Sequence, residues 1–184
     1  MFEAMIDPTA HLGTTTGSSA RAPRPADLRG LTVGLLANTK KNAETFLEAV
    51  GEALISEHGV ANLVRRKKLN IAQPAPAEMA EELVSSCDVV VVGVGDCGSC
   101  SASAVADGLV FEAAGVPAVV ICSDAFKATA DAMASLKGSP GYPYVQTRHP
   151  VAPLNGDEIR DRASAALPEL VAILTDRPAT TAAA

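Results

Sequence analysis

An α/β fold built on a mostly parallel sheet is predicted from three observations. Short apolar runs, the clearest being Val89-Val90-Val91-Val92, have the near-continuous hydrophobicity of strands buried on both faces. Segments of helical periodicity alternate with those runs. Gly59 and Gly115 stand where two of those helices should stop. A chain of 184 residues suits one domain, and 48% apolar content supplies its core.

Taken in order, residues 1–29 are rich in Thr, Ser, Gly, Pro and Ala and show no periodicity. They are expected to form an extended or flexible arm, either free or wrapped on a partner subunit. The α/β domain is placed at 30–176 and a flexible tail at 177–184. Leu31 to Leu36 is the first strand. Asn42 is expected to cap a helix over 43–57, with Phe46, Leu47, Val50 and Leu54 on one face. A second strand is expected over 60–65, and a second helix over 77–86. The third strand takes 88–93 and the third helix 99–114. A fourth strand (117–122) leads into a fourth helix (123–136). A short strand (144–147) and a helix over 157–174 complete the pattern. Pro168 should kink or split that last helix, because proline lacks the N–H and clashes with the preceding turn.

Strand–helix alternation means right-handed crossovers and helices on both faces of the sheet. Five strands of this kind suggest a single open sheet in the flavodoxin-like order 2-1-3-4-5. The second strand is then an edge. Its run Arg65-Arg66-Lys67-Lys68 reads as charge that discourages edge pairing, or else as an anion-attracting rim.

Charge and composition exclude several functions. A net charge of −6 argues against a nucleic-acid partner. The absence of Trp and the four Phe and two Tyr argue against a stacking platform. No stretch approaches the roughly 20 apolar residues of a membrane span. Met1 to Pro8 lacks the basic and apolar regions of a signal peptide. A cytoplasmic protein is therefore expected, whose four cysteines are working or buried thiols and not a disulfide framework.

In open α/β sheets, ligands bind beyond the carboxyl ends of the strands. That rim collects Asn38, Thr39 and Lys40 after the first strand, and Asp96-Cys97-Gly98-Ser99-Cys100 after the third. Ser123 follows the fourth strand and His149 the fifth. A Cys-x-x-Cys at a strand-to-helix turn meets free amides and the positive end of the helix dipole, which favour thiolate. Cys97 is the expected nucleophile and Cys100 the resolving or assisting thiol. Backbone N–H groups at Ser99 to Ser101 can bind a carboxylate or oxyanion. Asn38, Thr39, Lys40 and Ser123 are placed to orient a substrate, and His149 to serve as acid, base or anion donor. Asp96 is awkward, since a carboxylate beside a thiol raises its pKa; it either exchanges protons or caps the turn.

Other readings of these residues carry less. Cys87 lies before the third strand, and six strand residues span about 20 Å at roughly 3.3 Å each, so it is a packing residue remote from Cys97. Cys122 ends an apolar strand and reads as packing, though it can still abut the thiols. A zinc site would need the Cys97/Cys100 hook, Cys122 and His149 together, which a strand–helix turn does not favour over a knuckle; no metal is expected. Gly93-x-Gly95-x-x-Gly98 follows the third strand, not the first, so it is a poor dinucleotide fingerprint, and no cofactor is expected.

The motif Asp96-Cys97-Gly98-Ser99-Cys100-Ser101 resembles that of the UGSC family of selenoproteins and their cysteine homologues. The segments Leu36 to Asn42, Cys87-Asp88-Val89 and Gly115-Val116-Pro117 are similar as well. The resemblance runs from about residue 31 to 154. In many members selenocysteine stands where this chain has Cys97. More distantly, the thiol turn with its helix and next strand resembles the selenoprotein B component of glycine reductase and its proline reductase relative. The resemblance implies attack by Cys97 on a small organic substrate, with reductive or lyase-type bond cleavage. A hydrolase or transferase working through a thioester, and a thiol–disulfide redox subunit, are the alternatives. The expected partners are a small-molecule substrate, a redox or enzyme-complex protein, and further copies of the chain as a homo-oligomer.

Overall fold

The structure, a computed structural model, describes residues 21–175. The predicted tail at 177–184 and the first twenty residues of the predicted arm lie outside them. One all-parallel sheet contains β1 (Thr32–Ala37), β2 (Asn62–Lys67), β3 (Val89–Gly95), β4 (Ala118–Ser123) and β5 (Val145–Thr147). Its order is β2-β1-β3-β4-β5, the flavodoxin-like order read from the sequence. The helices are α1 (Ala43–His58), α2 (Ala77–Ser86), α3 (Gly98–Ala113), α4 (Lys127–Leu136) and α5 (Gly156–Thr175).

Side-chain alternation along the strands divides the core in two. Val33, Leu35, Val91, Val119 and Ile121 pack with Phe46, Leu47, Leu167 and Leu170 of α1 and α5. Leu36, Val90, Val92, Val120 and Cys122 pack with Leu83, Val105 and Ala130 of α2, α3 and α4. The register of β3 against β4 shifts between Val92 and Gly95. That irregularity reverses the alternation, because Val94 joins the α1/α5 layer although Val90 and Val92 belong to the other. Asp96 has the parity of Val94, so the shift turns it toward the α1/α5 side.

Several element boundaries differ from expectation. β2 begins two residues late, because Val60 closes the end of α1 through its N–H to the Leu54 carbonyl while Asn62 pairs with Thr32. The fourth helix does not begin at Ser123. Ser123 ends β4, and a 3-10 turn over Asp124–Phe126 precedes α4. Pro168 does not split α5, which runs as one helix from Gly156 to Thr175. Leu167, Leu170 and Leu174 are buried in the α1/α5 layer, which keeps the helix continuous through the proline.

Three cations of the basic run lie on the edge strand β2, as read, and each meets a carboxylate of a neighbouring helix. Arg65 forms a two-pronged pair with Glu48 of α1, Arg66 pairs with Glu82 of α2, and Lys67 pairs with Glu44. Lys68 is not on the surface. Its side chain is 2% exposed, and its ammonium donates to Asp107 at 2.5 Å, Ser103 at 2.8 Å and the Gln73 carbonyl at 2.9 Å. The cations that sequence reading offered as an anion rim are thus committed to carboxylates of the same chain.

Residues 21–29 form no helix or strand, and they lie against the domain. Ala22 and Leu28 are buried. Arg24 grips both carboxylate oxygens of Glu112 at 2.7 Å and donates to the Ile173 carbonyl. No helix among the described residues is long and apolar enough to cross a membrane.

Candidate functional site

Cys97 occupies the N-cap of α3, in extended backbone, half-buried. Its sulfur accepts the N–H of Cys100 at 3.3 Å, as an N-cap side chain does for the unpaired amides of a first turn. Cys97 and Cys100 are joined as a disulfide, with Cα atoms 5.3 Å apart. Their environments differ sharply: Cys100 is 1% exposed. Ser99 is exposed, with Oγ 3.8 Å from the Cys97 sulfur.

The amides of this turn are less available than the sequence suggests. The Cys100 N–H goes to the Cys97 sulfur and the Ser101 N–H to the Cys97 carbonyl. That removes two of the three backbone donors at Ser99 to Ser101 from any anion. Ser101 points the other way from the rim. Its buried side chain packs where a Cβ on Gly95 would meet Ser101 and the Cys122 sulfur. Cys122 is wholly buried in the α3 layer, and burial pushes its thiol up to about 12. Cys87 sits before β3, near Gly34 of β1, and its thiol is raised by burial too.

Asp96 is the hub of the rim. Its carboxylate is buried, with Oδ1 2.8 Å from His149 Nδ1. Oδ2 accepts the N–H groups of Val151 at 3.1 Å and Ala152 at 3.2 Å, and Lys40 Nζ stands 3.7 Å away. Lys40 also donates to the Asp96 carbonyl at 3.1 Å. A carboxylate accepts only, so the hydrogen of the imidazole belongs on Nδ1 and Nε2 is left as the working nitrogen. Asp96 therefore neither caps the turn nor stands as a lone charge against the thiol. Its charge is held between a lysine, an imidazole and two amides.

His149 is fixed from three further directions. Its N–H reaches Asp124 Oδ1 at 3.0 Å, and its ring packs T-shaped with that of Phe126 at 5.3 Å between centroids. Ser123 Oγ lies 3.3 Å from Nδ1 and 3.3 Å from the Gly95 carbonyl. The imidazole side chain remains 38% exposed. Strand alternation explains the division at the end of β4: Cys122 faces the α3 layer and Ser123 the His149 side.

Asn38, expected to orient a substrate, is spent on the scaffold. It is 2% exposed, donates to the Val94 carbonyl at 2.8 Å and accepts from Lys40 N–H at 2.9 Å. Thr39 is exposed at the rim. Sequence reasoning places Asp124 on the rim without a role, and does not reach Phe126 or the amides of Val151 and Ala152. Asp124 sits one residue beyond Ser123, so its place at the strand end was a usable signal; backbone amides have no residue-type signal at all. Among the described residues, no three His, Cys, Asp or Glu side chains converge as a metal site. A cavity of about 430 Å³ lies apart from the thiols, between α1 and the edge strand, over Leu35, Ala37 and Leu47.

The fold and rim define an α/β protein of flavodoxin-like order with paired thiols at a strand–helix turn and a carboxylate–imidazole pair built on the residue that precedes them. The chain belongs to the UGSC family, whose model matches residues 4–176. No curated protein matches it.

Proposed function

We propose that this chain is a cysteine-dependent enzyme in which Cys97 attacks a small organic substrate and Cys100 resolves the adduct. The observation that carries the reading is the half-exposed Cys97 at the N-cap of α3, bonded to a buried Cys100 and adjacent in sequence to the Asp96–His149 pair. The first turn of a helix favours negative charge on the Cys97 sulfur.

Reductive cleavage proceeds in two displacements. The Cys97 thiolate attacks a carbon bearing a leaving group; a carbon–sulfur bond forms and the leaving group departs with its electron pair. His149, held through Nδ1 by Asp96, takes the Cys97 thiol proton at Nε2 and passes it to the leaving group. The Cys100 thiolate then attacks the Cys97 sulfur. A disulfide forms, the carbon–sulfur bond breaks, and the carbon keeps the pair and takes a proton. The substrate carbon gains two electrons and the thiol pair loses two. A dithiol of the surrounding cytoplasm, small or carried by a partner protein, reopens the disulfide by exchange at the more accessible Cys97 sulfur. Such chemistry suits a carbon next to a carbonyl or carboxyl group, which stabilises the departing carbanion, and it matches the reaction of the glycine and proline reductase components that the motif distantly resembles. Ser99, with Oγ 3.8 Å from the Cys97 sulfur, is the side chain at hand to meet the substrate.

Intact-mass measurement after incubating the reduced protein with candidate metabolites tests this. A covalent adduct is expected that accumulates in Cys100→Ser and is absent from Cys97→Ser. The Cys97–Cys100 disulfide itself favours a second reading, a redox subunit that exchanges disulfides with a protein partner. Mixed disulfides with protein thiols, and no small-molecule adduct, would establish that reading in place of the first.

A further inference from the structure

We infer that Asn42 is a positioning residue that sets the Asp96–His149 pair by clamping the loop after β5. The sequence reading made Asn42 a helix cap. The residue does precede α1, but its side chain makes no capping bond. Its Nδ2 instead faces three carbonyls, of Val151 at 3.2 Å, Ala152 at 3.1 Å and Leu154 at 2.8 Å. Carbonyls only accept, so this amide orientation is dictated by its partners.

The consequence passes through one peptide plane. In the Val151–Ala152 unit the carbonyl and the N–H point in opposite directions. The carbonyl is held by Asn42 and the N–H by Asp96 Oδ2. The neighbouring Val151 N–H goes to the same oxygen. With Asn42 in place, both amides are aimed at the carboxylate, whose other oxygen then meets His149 Nδ1. His149 belongs to the same loop, two residues before Val151, so the clamp fixes both members of the pair. Asn42 adopts φ 70°, a left-handed conformation that asparagine and glycine tolerate best. The position therefore selects for backbone freedom and for a donating side chain together, and asparagine supplies both. The chemical consequence rests on the function proposed above; the geometric claim does not.

Asn42→Gly separates the two properties, because glycine keeps the backbone conformation and removes the donor. Asn42→Asp keeps size and sets an acceptor against three carbonyls. The readouts are the downfield Nδ1 proton resonance of His149 in the nuclear magnetic resonance spectrum and the rate of Cys97 alkylation in the reduced protein. In Asn42→Gly the resonance should vanish or broaden and alkylation should slow at least threefold, while amide signals of the sheet stay in place. Asn42→Asp should do the same or fail to fold, which leaves the glycine variant to decide. A wild-type resonance and rate in Asn42→Gly overturn the proposal, as does absence of the resonance from the wild-type protein. Failure of the enzymatic reading would show differently: no metabolite adduct on Cys97, with the Asn42 effect on the His149 proton intact.

Discussion

Gly95 decides how closely the thiol-bearing helix approaches the sheet. A Cβ there would stand 2.7 Å from the Cys122 sulfur and 2.8 Å from Ser101 Cα. One neighbour is backbone and the other a fully buried sulfur, so the contact has no cheap escape. Gly95→Ala should destabilise the fold by about 1–3 kcal/mol, the usual range for overpacking, read as a lowered denaturation midpoint. The same tight approach keeps Cys122 out of water and its thiol at about 12. In the reduced, folded protein at pH 8, Cys122 should resist alkylation and become reactive only on denaturation; labelling under native conditions would contradict its burial.

At the scale of elements, the Lys68–Asp107 pair ties the loop after β2 to α3. Asp107 also accepts the Ala75 N–H at 2.7 Å, so one carboxylate anchors both ends of that loop. Burial raises its pKa, and Lys68 opposes that shift. Lys68→Met strands a buried acid and should cost about 3–5 kcal/mol, whereas Lys68→Met combined with Asp107→Leu should recover most of the loss. A chemical denaturation series on the three variants checks this. The elements themselves were legible because helical periodicity and apolar runs report burial directly; α2 was read to the residue. What the sequence could not convey was which cation in a run of four turns inward, since that depends on Asp107, a residue distant in sequence. Asn42 stands at the N-cap of α1 as its type suggests, but the partners of its side chain are hidden for the same reason. Its preference for helix starts is local, while its partners lie more than a hundred residues away. The β3 register shift, between Val92 and Gly95, has no signal in residue type, and it places Val94 in the α1/α5 layer.

Across the whole molecule, Glu112 joins parts that periodicity treats as unrelated. It accepts the Ala22 N–H, both prongs of Arg24 and the Ala118 N–H, linking the start of the described chain to α3 and β4. Arg24 extends the tie to the end of α5. Removing one partner leaves the other charge buried, so Arg24→Ala should destabilise the whole domain by about 3 kcal/mol. Unaltered thermal unfolding would mean that the segment is an ornament on the domain. The rim chemistry depends on this frame and on one sulfur within it. The most direct measurement is the residue-resolved alkylation rate of the fully reduced protein at neutral pH, compared with that of His149→Gln. The account predicts that Cys97 reacts at least tenfold faster than Cys87 or Cys122, and that the His149 variant loses part of that advantage. Equal rates at the three cysteines, or a Cys97 slower than the buried pair, would contradict it.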